Sequence, residues 1–326
     1  MRTVLIFLLV VVLAQTHADA SANPYADSLR AIPKVDHTML KNNQIEAAEK
    51  YAMLAMNAHS PFLKPGKPFK CGCYCDRFPN TTTLDYFTLQ GPQDATGYVA
   101  RDDLRKTFIV GFRGSASIQT WISNAHLKLV PVGGNVPGKI HEGFRATHLV
   151  VAKRISTLLQ KQWKQYPDYT VEVVGHSLGG ALATVHAAYL AADVKVDLNK
   201  IILVTLEEPL VGDSTFANYV SNLNILGYRL TNKQDVFVHL PPEFMGYKHR
   251  GNELYYSEYN KVILCLNAND KNCSPGVPIE RLNALDHFYW GKANSAHCGF
   301  DDTVGVIVSL LGFFLSLLRG GPTTPL

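Results

Sequence analysis

The stretch Val173-Val174-Gly175-His176-Ser177-Leu178-Gly179-Gly180 constrains the fold of this chain more than any other. A β-type run at residues 169–174 ends in Gly-x-Ser-x-Gly and passes straight into small helix formers at residues 179–192. A serine at such a strand-to-helix elbow sits in a strained turn with its hydroxyl exposed above the sheet. Its flanking glycines are needed because a Cβ there would collide with the neighbouring strand and helix. The bare pattern is weak, so its meaning depends on the context and on partners elsewhere in the chain.

The context is an alternation of strands and helices. Apolar spacing predicts a helix over 44–57, and prolines and cysteines predict a pinned loop over 60–80. Strands are expected at 84–89, 97–100, 107–112, 170–174, 201–206, 225–231 and 261–266, with helices at 144–166 and 214–222. Residues 247–256 read as a hairpin around Gly251-Asn252, and residues 21–43 as a loosely structured lead-in. This order implies the α/β class: a mostly parallel central sheet with helices on both faces. No linker divides it, so one catalytic domain is expected over residues 21–302.

The ends differ from that domain. Arg2 precedes an apolar run at 4–14 and the small-x-small site Ala18-Asp19-Ala20, the order of a secretory signal peptide over residues 1–20. Export to an oxidising compartment lets Cys71, Cys73, Cys75, Cys265, Cys273 and Cys298 be read as three disulfides. Cys265 and Cys273 would close a local loop, and Cys298 would tie the end of the domain to one of the three early cysteines. A metal site in Cys71-Gly72-Cys73-Tyr74-Cys75 is the rival reading. Asn80-Thr81-Thr82 is a glycosylation sequon. Residues 303–326 form an apolar tail, too short at 304–318 for a comfortable membrane span. It reads as a helix packed on the domain, as an interfacial helix in peripheral contact with a membrane, or as a removable tail. The net charge of +4 is too small to imply a nucleic-acid partner, no basic cluster supports one, and none is expected. Oligomeric state is not set by the sequence.

A serine hydroxyl needs a base, and the base needs an acid to fix its tautomer. His287, in a loop near the end of the domain, is the best placed of the histidines after Ser177. Asp235 follows the strand at 225–231 and suits the acid; Asp213 reads instead as a helix N-cap. Oxyanion donors are expected from the N–H of Leu178 and from Ser115, on a loop leaving the strand at 107–112. No cofactor or metal is required by this set.

With these residues placed, the chain resembles the secreted fungal-type triacylglycerol lipases of the class 3 family, members of the α/β-hydrolase fold. The resemblance runs from about residue 84 to 298. It rests on Phe112-Arg113-Gly114-Ser115, His141-Glu142-Gly143-Phe144, Gly175-His176-Ser177-Leu178-Gly179-Gly180, Asp235 before Leu240-Pro241-Pro242, and Asp286-His287. It implies Ser177 as nucleophile, Asp235 as acid, His287 as base, and Ser115 with Leu178 as oxyanion hole. It also implies a short helical lid after Ser115. There Ile118, Trp121 and Ile122 share one helical face, suited to a lipid–water interface and an acylglycerol substrate. One departure stands out. Where the family usually has Gly-x-Pro-Arg-Val-Gly, this chain has Glu207-Glu208-Pro209-Leu210-Val211-Gly212, which adds negative charge near the C-terminal edge of the sheet. Phospholipid, soluble aromatic ester and peptide hydrolysis are alternatives on the same machinery; a silent lipid-binding protein is the alternative from another class.

Overall fold

The computed structural model describes residues 23–89, 95–114 and 127–299. The expected signal peptide (1–20), most of the oxyanion–lid segment and the apolar tail (303–326) lie outside them.

Helices α1 (Pro24–Arg30) and α2 (Asn42–Asn57) lead into β1 (Thr81–Leu89), β2 (Ala95–Asp102) and β3 (Thr107–Phe112). A two-stranded ribbon, β4 (Leu129–Gly133) and β5 (Val136–His141), precedes α3 (Glu142–Trp163). Then come β6 (Thr170–His176), α4 (Leu178–Ala192), β7 (Ile201–Leu206), α5 (Ser214–Asn222), β8 (Leu226–Asn232), β9 (Glu253–Tyr256) and β10 (Val262–Cys265). The eight-stranded sheet has the order β1-β2-β3-β6-β7-β8-β9-β10. Its middle, from β3 through β9, is parallel, and its edges are antiparallel.

Side chains that alternate along these strands build two cores. Ile109, Val174, Ile202, Val204, Leu206 and Leu230 meet α1 and α2 on one face. Phe108, Val110, Phe112, Val171, Val173 and Leu203 meet α3 and α4 on the other. Both faces of the central strands are therefore covered, which is why those strands read as unbroken apolar runs.

Two expectations are corrected. Residues 21–43 are not a loose lead-in where described: α1 has Asn23 as its cap, and Met39 bridges Ile263. Asn23 Nδ2 also donates to Glu172 Oε1 (2.7 Å) in the middle of β6, where Tyr51 and Arg105 converge on the same carboxylate. Nor does the chain form a hairpin around Gly251-Asn252. Arg250 turns inward to Glu208 and Thr205, and Lys248 bridges Gly212, so no strand precedes the turn. The antiparallel turn comes later, between β9 and β10, with Asn260 at φ 56°.

The six cysteines pair as Cys71–Cys75, Cys73–Cys298 and Cys265–Cys273. With every thiol spent on a disulfide, the rival metal site in residues 71–75 is not available. Asn80 is exposed in the turn before β1. Asp213 caps α5, its Oδ1 accepting from Phe216 N at 2.9 Å.

Candidate active site

β6 ends at the middle of the sheet, and the chain reverses there into α4. Ser177 occupies the corner with φ 58° and ψ −127°, and its N–H donates to Leu206 O of β7 (2.9 Å). The elbow is tight enough to explain its glycines. A Cβ on Gly175 would sit 2.0 Å from Gly179 O, and one on Gly179 would sit 2.2 Å from Phe112 O. Neither backbone group can retreat without breaking the β3–β6–α4 packing.

Leu178 is the first residue of α4, so its N–H belongs to the helix terminus that has no intrahelical acceptor. β3 delivers Gly114 to the same place: a Cβ there would lie 3.2 Å from the Ser177 Cβ. Ser115 is the next residue, but it lies outside the described residues, as do Ile118, Trp121 and Ile122.

The other side chains arrive on two loops beyond β8. Asp235 Oδ2 accepts from His287 Nδ1 at 2.8 Å, both side chains being fully buried, while Asp235 Oδ1 accepts from Phe237 N at 2.8 Å. Phe237 packs against the imidazole with ring centroids 4.2 Å apart. Val236, Phe237, Leu240 and Phe288 form a small core that clamps the two loops together. Asp286 fastens the base loop further. Its carboxylate accepts from Gln234 N (3.2 Å) and Tyr289 OH (2.7 Å), and its carbonyl accepts from Asn232 Nδ2 (2.9 Å). With Nδ1 donating to Asp235, the tautomer of His287 is fixed. Among the described residues its buried Nε2 has no hydrogen-bond partner, and it is left as an acceptor.

Sequence reasoning missed a histidine chain behind this pair. His176 Nε2 donates to the backbone carbonyl of His287 (2.8 Å), and His176 Nδ1 accepts from His59 Nε2 (3.1 Å). Burial, with His287 close by, pushes the His176 imidazole down to about 3, so it stays neutral in this role. Burial likewise holds His59 well below its ordinary value. His176 stands inside the Gly-His-Ser motif, so its position was visible; His59, 117 residues away from it, carried no local signal. Among the other histidines, His186 is buried under the sheet against His148 (3.1 Å), and His249 binds Val238 O (2.6 Å). Both do structural work.

The two glutamates that depart from the family pattern part company. Glu208 pairs with Arg250 (3.1 Å), Thr184 and Thr205. Glu207 is fully buried, and its Oε2 accepts from Asn232 N (3.2 Å).

This geometry can be set beside known proteins. A family model described as lipase (class 3) matches residues 109–245. The lipase of Rhizomucor miehei is 32% identical over 286 residues, spanning 85% of this chain and 77% of that protein. Secreted mono- and diacylglycerol lipase 1 of Fusarium solani is 34% identical over 193 residues, 58% of this chain and 56% of that protein. The solved structure of Rhizomucor miehei triacylglyceride lipase matches with a TM-score of 0.74 at 30% identity, covering 80% of this chain and 99% of that one. The chain belongs to the class 3 lipase family, has its α/β-hydrolase fold, and is an ester-hydrolysing enzyme.

Proposed function

We propose that this chain is a secreted lipase that cleaves the carboxylic esters of acylglycerols through an acyl-enzyme. Ser177 is the nucleophile, His287 the general base and Asp235 the acid that orients it. His287 Nε2 takes the Ser177 proton as the hydroxyl attacks the ester carbonyl, then returns it to the leaving glycerol oxygen; water repeats the cycle on the acyl-enzyme. Charge on the tetrahedral oxygen is met by the N–H of Leu178 and by Ser115. The i, i+3, i+4 spacing of the apolar residues Ile118, Trp121 and Ile122 supports a lid that meets a lipid surface.

The observation that carries this reading is the fully buried His287–Asp235 bond of 2.8 Å, which leaves Nε2 as an acceptor at the end of the sheet that bears the Ser177 elbow. The acylglycerol substrate and secretion are supported by relatives named triacylglyceride lipase and secreted mono- and diacylglycerol lipase, together with the signal-peptide pattern at residues 1–20.

The test is a chain-length series of p-nitrophenyl esters beside emulsified tri-, di- and monoacylglycerols. The expected result is a jump in rate once long-chain substrate exceeds its solubility. A rate that saturates on short soluble esters and ignores emulsions would reject the lipid substrate while leaving esterase chemistry intact.

A further inference from the structure

Glu207 occupies the position where the family pattern usually has glycine. Its backbone is left-handed, with φ 49°, a conformation that glycine adopts freely and other residues hold only when their surroundings impose it. Its side chain is completely buried at the end of β7, beside the loop that carries Asp235. Glu207 N donates to Leu230 O (2.9 Å), and Glu207 Oε2 accepts from Asn232 N (3.2 Å). Among the described residues no N–H or hydroxyl donor reaches the other oxygen, the buried Oε1. The Asn232 N–H that Glu207 binds opens the turn that carries Asp235, whose own N–H donates to Asn232 O (3.0 Å), so the buried Glu207 and Asp235 carboxyls face one another.

Two carboxyl groups that face each other in a dry protein interior repel when both are ionised, and one proton held between them relieves that repulsion. The donors say which one keeps it. Asp235 already accepts from Phe237 N–H and His287 Nδ1–H, which favour its charged form. Glu207 has a single backbone donor and no exposure. Its burial, together with the adjacent Asp235, raises it well above the usual carboxylate range.

We propose that Glu207 is a positioning residue for the hydrolysis: as a neutral carboxylic acid it donates an O–H···O bond to Asp235, extending the Ser177–His287–Asp235 chain by a fourth member. The inference rests on the reading of those three residues given above. The proton stays on Glu207 throughout, and no bond is made or broken there. Its bond satisfies Asp235, draws negative charge away from His287, and so sets how basic the imidazole is. The titratable groups facing the pair are Asp286 and Tyr289 on the loop that carries His287, which face Glu207, and His287, His239 and His176, which face Asp235. Glu208, although next in sequence, faces Arg250.

The pH profile of kcat/KM on a soluble p-nitrophenyl ester tests this, with each preparation normalised by active-site titration using a p-nitrophenyl phosphonate. Glu207→Leu removes the donor without adding charge. Asp235 then becomes a stronger acceptor, imidazolium is favoured, and the acid limb moves up in pH, with kcat lower by on the order of ten-fold. Glu207→Gln keeps a neutral donor and is expected to return the acid limb to its wild-type position, with a smaller loss of kcat. An ionised Glu207 would give the opposite sign. Its replacement by glutamine would remove a negative charge near His287 and move the acid limb down by about one unit, which would overturn the proposal. Coincident acid limbs in wild type and Glu207→Leu would also overturn it. A readout independent of turnover is the infrared carbonyl band of a protonated carboxylic acid near neutral pH, present in wild type and lost in Glu207→Gln. Should wild type fail to react with the phosphonate at Ser177, the parent reading fails; an unchanged infrared band in Glu207→Gln with normal labelling sinks only this inference.

Discussion

Ser177, at φ 58° and ψ −127°, is held in a region of backbone space that few side chains tolerate. The strain persists because Gly175 and Gly179 allow β6, β3 and α4 to close around it, and because its N–H is bound to Leu206. Behind it, the orientation of His287 depends on Asp235. In Asp235→Asn, the amide nitrogen turned toward Nδ1 would reverse the tautomer and leave Nε2 unable to take the serine proton. The expected loss in kcat is roughly 10³–10⁴-fold, on the scale of the same change in other serine hydrolases, with little change in melting temperature. Steady-state kinetics on a soluble ester would check it, and a loss below about ten-fold would remove Asp235 from the mechanism. At this scale the sequence was informative wherever a residue stood in a local pattern. Chain order made Ser177, Asp235 and His287 candidates, the family resemblance singled them out, and the structure joins His287 to Asp235. The hydrogen bond from His176 to the His287 carbonyl was not, because a backbone acceptor 111 positions away leaves no mark on composition or spacing.

Elements with strong periodicity were legible: α2, α3, α5 and the central strands fall within a few residues of their expected bounds. What the sequence hid was order imposed from a distance. α1 has only seven residues, too few to be stable alone. It exists because its cap, Asn23, also reaches Glu172 on β6. The misplaced hairpin has a related cause. Asn252 does adopt a positive φ, but Gly251 lies tight against Leu266 O and the preceding segment follows Arg250 into the core. Disulfides anchor these elements unequally. Cys73–Cys298 spans 225 positions and ties the early cysteine loop to the end of the described domain, whereas Cys265–Cys273 spans only 8. Chain-entropy reasoning then predicts that the Cys73→Ser/Cys298→Ser variant loses about 4–5 kcal/mol, and Cys265→Ser/Cys273→Ser about 2–3 kcal/mol. Thermal melts of the two double variants would decide it, and equal or reversed losses would show that the long disulfide does not anchor the domain.

At the scale of the molecule, several neutral imidazoles are packed inside one fold. Burial holds His141 and His148 at about 4 and His176 at about 3, against an ordinary value of 6.5. The unfolded chain therefore binds more protons than the folded one below pH 6.5. Stability that is fully present above that pH is lost as pH falls toward 4 and then 3. The melting temperature is expected to decline steadily through this window. His148→Gln, which removes one titrating group from the buried pair with His186, should flatten the decline even if it lowers stability at pH 7. Parallel curves for wild type and variant would contradict this.

The same architecture gathers the groups of the candidate site at one corner. Ser177, Glu207 and Asp235 lie at or just beyond the ends of β6, β7 and β8, and the loop after β10 brings His287 to Asp235. If acyl transfer passes through Ser177, a p-nitrophenyl phosphonate will trap the enzyme there, and peptide mass spectrometry will locate the adduct. The expected result is one equivalent of released nitrophenol, a single adduct on Ser177, and neither adduct nor ester turnover in Ser177→Ala. Labelling at another residue, or turnover that survives Ser177→Ala, would contradict it.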